Sequence, residues 1–238
     1  MRYLIPAAGM ARRLGDALGG RPKCLIEIAG EPLIARLIRQ IRANDAAADI
    51  HVVLGYRSAD VLPHVEGCRI VLNPFFDVTS IVASMWLARA SFDQALMLIH
   101  GDLVLSDPLF ARLAAAPHPT LIGYDSSILK AHEINVRVAQ DRLVGFGEKI
   151  DDYQGIYGGV LKLADDASLR FREALEARVE RGFNEPNGYY FFIVRKMLRE
   201  QGIEFPVFDF AGERWQEIDH VADIASAQAR FGPEHVAV

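Results

Sequence analysis

The residue types best suited to chemistry in this chain gather in three places. The first is a run of small residues, Pro6-Ala7-Ala8-Gly9-Met10-Ala11, followed by Arg12, Arg13 and Leu14, with Pro22 and Lys23 beyond. Small residues at a sharp turn let successive backbone N–H groups converge on an anion. Arg13 and Lys23 add charge from two sides, as a polyphosphate requires. The other two places hold carboxylates. Asp102 ends the apolar run that begins at Ala95 and closes with Ile99, His100 and Gly101, and Asp219 ends Trp215-Gln216-Glu217-Ile218. A carboxylate at the carboxyl end of a buried strand lies where ligands of α/β folds collect. Two of them, with phosphate oxygens and water, suit octahedral Mg²⁺. Each feature also has an ordinary structural explanation: Ala-Ala-Gly makes a tight turn, and aspartates cap helices and shape turns.

The elements that must position these residues follow from the apolar pattern. Short apolar runs at 2–6, 51–55, 69–73, 95–100 and 120–124 read as strands, and amphipathic stretches at 32–43, 58–65, 79–90 and 107–115 as helices. Pro32 and the pair Asp107-Pro108 are helix-start signals. Alternation of strands and helices predicts a largely parallel sheet. The second half differs. Residues 135–139 and 143–149 alternate around Gln140-Asp141-Arg142, a hairpin, and a strand is expected at 157–163. Helices at 167–181 and 189–200, short strands at 204–207 and 215–218, and a closing helix at 221–231 complete the pattern. The expected fold is α/β, a single Rossmann-like domain over 1–238, with a mixed, mostly parallel central sheet flanked by helices and a β-hairpin insertion in the second half. Its first half, 1–125, holds the small-residue turn and Asp102, and its second, 126–238, holds Asp219.

Composition narrows the function classes. The 238 residues are 51 % hydrophobic and carry a net charge of -5, enough to bury a core and without general attraction for nucleic acid or an anionic membrane. The expected partner is therefore a small anion held by local groups. Cys24 and Cys68 are too few for a disulfide framework or a zinc site. No apolar run approaches the roughly 18 residues of a membrane span. A cytoplasmic protein is the expectation, with homodimerisation left open. Neither a Walker A pattern nor G-x-G-x-x-G is present, which argues against a P-loop kinase and a dinucleotide oxidoreductase.

Taken together, the glycine turn and Pro22-Lys23 resemble the sugar-phosphate and choline-phosphate nucleotidyltransferase superfamily, whose motif reads L-A-A-G-x-G-x-R followed by P-K. Pro6 stands in place of the leucine and Ala11 in place of the second glycine. The resemblance implies that Ala7, Ala8, Gly9, Met10, Ala11, Gly55 and Gly101 line a nucleotide site, with Arg13 and Lys23 on its phosphates. It also implies that Asp102 and Asp219 hold Mg²⁺, the late W-x-E-I-D segment being typical of the choline-phosphate and phosphonate branch. Asn73 to Met85 resembles a further segment of that branch, which puts Ser84 near the base; a hydroxyl bonded back to its own helix is the alternative. Leu143 to Ile150 resembles the segment that makes Lys149 an acceptor-binding residue, with Glu217 as a second. A lysine of some phosphonate enzymes is replaced by Asn135.

The implied activity is Mg²⁺-dependent transfer of a nucleotidyl group, cytidylyl from CTP, to a small phosphate or phosphonate such as phosphocholine or 2-aminoethylphosphonate, with release of pyrophosphate. A sugar-1-phosphate nucleotidylyltransferase and a non-catalytic nucleotide sensor are the alternatives. Tyr189, Tyr190, Phe191 and Phe192, with Trp86 and Trp215, offer faces for a quaternary ammonium, although four consecutive aromatics on one helix cannot share a ligand and core packing is their expected role. His100 and the other histidines show no metal spacing and read as structural.

Overall fold

The computed structural model describes residues 1–130, 133–180, 182 and 189–232. The first half runs β1 (Arg2–Ala7), β2 (Glu27–Ile28), β3 (Glu31–Pro32), α1 (Leu33–Asn44), β4 (Asp49–Leu54), α2 (Ser58–Val61), β5 (Arg69–Leu72), α3 (Ile81–Leu87), β6 (Leu96–Ile99), β7 (Leu103–Leu105), α4 (Asp107–Ala114) and β8 (Leu121–Asp125). The second half runs β9 (Asn135–Ala139), β10 (Arg142–Gly147), β11 (Gly155–Leu163), α5 (Asp165–Glu180), α6 (Phe191–Glu200), β12 (Val207–Asp209), β13 (Trp215–Glu217) and α7 (Val221–Phe231).

A nine-stranded sheet carries both halves, as the α/β reading expects. β1 lies between β6 and β4, and β4 beside β5, all parallel. Their apolar runs alternate between two faces. Leu4, Val53 and Leu98 join one core with α5 and α6, while Tyr3, Ile5, Val52 and Ile99 join another with α1 and α4. Helix α1 buries Leu33, Ile34, Leu37, Ile38 and Ile41, the one-faced stripe of an amphipathic helix. Each such side chain contributes about 1.5–3 kcal/mol on burial. Pro6, inside β1, is tolerated because β6 pairs only as far as Leu4, so no donor is required at its nitrogen on that side.

Antiparallel strands extend the sheet where the second half begins. β11 pairs with β8 along one edge, and β6 and β9 share its other edge in succession. The changeover falls at Gly159, whose φ of +70° is left-handed and whose absent side chain leaves space for Leu103, 2.8 Å from where a Cβ would stand. β9 and β10 form the predicted hairpin.

Several expectations need correction. The helix expected at 79–90 is shorter, α3, continued by a 3-10 segment at Arg89–Asp93. Helix 58–65 breaks at α2 because Pro63 opens a 3-10 turn. Tyr189 and Tyr190 precede α6 rather than forming its first turn. The strand expected at 204–207 is displaced to β12, which lies parallel to β8. The helix end placed at Arg181 falls outside the described residues. Two small ribbons, β2–β3 and β7–β13, have no counterpart among the expected pairings.

The turn after β1 places Ala11 at φ +52°, a left-handed conformation that costs a residue with a Cβ about 1 kcal/mol or more. Replacing Ala11 by glycine should therefore raise the urea midpoint by up to about 1 kcal/mol equivalent, the gain being trimmed by the freedom glycine has when unfolded; a lower midpoint would show that Ala11 is unstrained. Gly159→Ala should lose more than about 2 kcal/mol in the same measurement, from left-handed strain plus the clash with Leu103. A near-neutral result would contradict that packing.

Candidate functional site

The site lies where β1 and β6 end. Beyond β6 the chain passes His100, Gly101 and Asp102 and enters β7, which pairs antiparallel with β13, Glu217 lying opposite Leu103. The Ile218 N–H donates to the Asp102 carbonyl at 3.1 Å, so Asp219 arrives beside Asp102. Gly101 is needed for this approach: a Cβ there would stand 2.9 Å from the Pro6 carbonyl oxygen.

Lys23 joins the two aspartates. Its Nζ donates to Asp102 Oδ2 at 2.8 Å and to Asp219 Oδ1 at 2.7 Å. Arg13, largely exposed, reaches Asp219 Oδ2 at 3.5 Å. Burial alone would push the Lys23 ammonium toward losing its proton, but the two carboxylates outweigh it and hold the pKa above its ordinary value. Burial likewise pushes Asp219 up, and the charge of Lys23 outweighs it, holding that carboxyl below its usual range. Asp219 is not the helix cap. Asp223 accepts from the backbone N–H groups of Asp219 and His220 at the start of α7, which leaves the Asp219 side chain to the site.

His100 also belongs here. Its Nε2 pairs with the Tyr190 hydroxyl at 2.9 Å, and that hydroxyl with Tyr157 at 2.6 Å, while Nδ1 lies 3.7 Å from Glu217 Oε1. Burial raises the Glu217 pKa, and the charge of Asp102 adds to the effect while His100 opposes it. Spacing along the chain concealed His100, since Glu217 becomes its neighbour only through the β7–β13 pairing.

Three cavities meet at Pro6 and Asp102. One of about 180 Å³ is lined by Ala8, Gly9, Asn73, Phe76, Thr79 and Ser84. Asn73 Nδ2 donates to the Ser84 hydroxyl at 3.0 Å and to Thr79 at 3.2 Å, so Ser84 accepts from Asn73 and keeps its own proton for another acceptor. A second cavity of about 190 Å³ is lined by Ala7, Gly9, Ala11, Lys23, Cys24 and Gly101. The third, about 250 Å³, has Arg13, His100, Tyr157 and Tyr189 in its wall together with Glu133, Glu148, Glu217 and Asp219.

The structure thus brings together Ala7, Ala8, Gly9, Ala11, Arg13, Lys23, Ser84, Gly101, Asp102, Glu217 and Asp219. Three expected residues stand apart. Gly55 packs beneath the turn, where a Cβ would come within 2.8 Å of the Ala8 carbonyl oxygen, so it shapes the turn from behind. Met10 lies beside Arg12 and lines none of the three cavities. Lys149 is exposed at φ +53° in the turn after β10, and Glu148 lines the cavity in its place. Of the four aromatics Tyr189 lines one of these three cavities; Tyr190 and Phe191 are core residues, as the packing argument expects. Asn135 is buried, with its Oδ1 lacking a hydrogen-bond partner among the described residues.

A divalent cation fits this donor set. Asp102 Oδ1 is buried without a hydrogen-bond partner among the described residues, and carboxylate oxygens from two separate segments are the ligands a hard cation such as Mg²⁺ takes. No helix among the described residues is long and apolar enough to cross a membrane.

Comparison with known proteins gives the chain's family and fold relatives. A CMP-5'-(3-aminopropyl)phosphonate synthase of Streptomyces rubellomurinus is 29% identical over 250 aligned positions, covering 98% of this chain and 39% of the relative. A bifunctional IPC transferase and DIPP synthase of Rubrobacter xylanophilus is 27% identical, covering 92% of this chain and 49% of the relative. The chain therefore spans less than half the length of these two curated relatives. Among solved structures, the CTP:phosphocholine cytidylyltransferase of Streptococcus pneumoniae superposes with a TM-score of 0.79 at 20% identity, over 96% of this chain and 97% of that one. The inositol-1-phosphate CTP transferase of T. maritima gives 0.74 at 20% identity, over 100% and 98%. The model of the MobA-like NTP transferase domain matches residues 3–130, more than half of the chain, and this protein therefore belongs to that family.

Proposed function

We propose that this protein transfers a cytidylyl group from CTP to a small phosphate or phosphonate whose far end carries an ammonium, releasing pyrophosphate. The observation that carries the reading is the meeting of three cavities at Asp102, with Lys23 and Arg13 as the cations beside it. The base would enter the cavity of Asn73 and Ser84, where the free Ser84 proton can be donated to a ring acceptor. The phosphates would lie along Ala7 to Ala11 against Lys23, and the acceptor in the third cavity, its anionic oxygen near Arg13.

The chain's own groups position and neutralise. An acceptor phosphate or phosphonate oxygen is already anionic near neutral pH, so in-line attack on the α-phosphorus requires no general base. Lys23 and Arg13 would offset charge developing on the phosphoryl oxygens, and the low-dielectric wall of Tyr157 and Tyr189 strengthens them by excluding water. Asp102 and Asp219 would hold Mg²⁺, which supplies Lewis-acid neutralisation of the phosphoryl oxygens. In the acceptor cavity carboxylates outnumber cations; Glu133 is paired with Lys130, and Glu148 stands apart from the Asp102–Asp219 pair. That charge favours a cationic tail and disfavours a neutral polyol.

The test is pyrophosphate release with Mg²⁺, crossing four NTPs with phosphocholine, 2-aminoethylphosphonate, inositol phosphate and sugar 1-phosphates. Turnover is expected with CTP and an amine-bearing acceptor. Nucleotide binding without turnover on any pair would make the protein a sensor instead. Asp219→Asn should lower kcat about 100- to 1000-fold in a folded protein, and near-normal kcat would remove Asp219 from the machinery. Glu148→Gln should raise the acceptor KM about threefold to tenfold and leave that of CTP alone, the modest size reflecting solvent screening of an exposed carboxylate. An unchanged acceptor KM would return Glu148 to the surface.

A further inference from the structure

Lys23 faces two sets of anionic partners. Its ammonium donates to one oxygen of each aspartate at 2.8 and 2.7 Å, and only 15% of the side chain is exposed. The same side chain lines the cavity of Ala7, Gly9, Ala11 and Gly101. An ammonium has three donors, and the aspartates occupy two. Asp102 is only half satisfied by this arrangement, because its Oδ1 has no partner among the described residues. Lys23 therefore offsets only part of the two carboxylates' charge and leaves one oxygen of Asp102 unsaturated.

A divalent cation bound by both aspartates would sit about 2.1 Å from their oxygens. With Lys23 in place, it would stand within a few ångströms of a fixed positive charge in a partly buried site, where like charges repel strongly. Lys23 and the cation therefore compete for the same carboxylates. Lysine suits such competition, being a point charge on a flexible stem, whereas the Arg13 guanidinium is farther away and mostly exposed.

We infer that Lys23 is an exchangeable internal counter-cation: it bridges Asp102 and Asp219 and holds divalent metal off until a polyphosphate in the adjoining cavity draws the ammonium across. The inference rests on the assignment of these aspartates to the metal, made above. It makes metal and nucleotide enter together. A nucleotide removes the repelling charge and brings phosphate oxygens as further ligands, so each ligand raises the affinity for the other.

The measurement is Mn²⁺ binding without nucleotide, read from the electron paramagnetic resonance signal of free Mn²⁺. Lys23→Met should bind Mn²⁺ at least about tenfold more tightly than the unaltered protein, a change of about 1.4 kcal/mol. Lys23→Gln should show the same gain, and adding Asp219→Asn to Lys23→Met should abolish it. Thermal unfolding gives a second readout. In EDTA, Lys23→Met should unfold below the unaltered protein, and millimolar Mg²⁺ should restore the variant while moving the unaltered protein little. Equal or weaker Mn²⁺ binding by both Lys23 variants, or a gain that survives Asp219→Asn, would overturn the inference. None of these readouts depends on turnover. A protein that transfers nucleotides without the Mn²⁺ gain loses only the exchange, and one that shows the gain without transfer loses only the proposed activity.

Discussion

Three residue pairs of antiparallel backbone, Leu105 with Trp215, Val104 with Gln216 and Leu103 with Glu217, carry the arrangement on which the site depends. They bring the end of the second half against the end of β6, and the Ile218 N–H bonded to the Asp102 carbonyl sets the register. A shift of one residue in that ribbon would turn Glu217 and Asp219 to its other face, since strand side chains alternate. The ribbon is itself held by packing. Trp215 is buried, and its indole N–H donates to Asp125 at 2.6 Å, while Val104 packs with Ile218 and Ala227 of α7.

Gathering Asp102, Glu217 and Asp219 in one place is electrostatically costly, and the surrounding structure offsets the cost in different ways. Lys23 bridges the two aspartates and offsets part of their charge directly. Glu217 has no lysine or arginine partner among the described residues; burial and the charge of Asp102 raise its pKa, and His100 stands beside it, oriented by Tyr190 and Tyr157. Tyr190, read in isolation as one of four consecutive aromatics, thus acts as a hydrogen-bonding core residue. The overall charge of -5 fits this local balance, since the cations at the site are few and placed rather than spread over a surface.

The turn from Pro6 to Leu14 joins both themes. Its backbone is sharply bent, with Ala11 left-handed, and it is braced from behind by Gly55 and by Tyr56, whose N–H donates to the Ala8 carbonyl at 3.1 Å. A turn so constrained cannot adjust far to its ligand, which leaves the long Lys23 and Arg13 side chains to supply whatever movement binding needs.

What the sequence determined by itself is the part governed by local physics. Apolar periodicity marked the parallel strands and α1, and the small-residue turn with Arg13 and Lys23 pointed to where small residues and cations gather. Asp102 and Asp219 stood out because the first closes an apolar run and the second a short expected strand. What only the tertiary structure decided is how those pieces meet. The short run Leu103 to Leu105 carries too little pattern to be read as a strand, yet its pairing with Trp215 to Glu217 makes His100 and Glu217 neighbours. The choice of Glu148 over Lys149 as cavity lining depends on a left-handed turn that residue types alone do not specify. Lys23 could be assigned to phosphates from its position in the motif, but its bridge between two aspartates could not. The reason is physical: periodicity records what a segment does with its own backbone, whereas register, cavity lining and charge pairing arise from contacts between segments far apart in the chain.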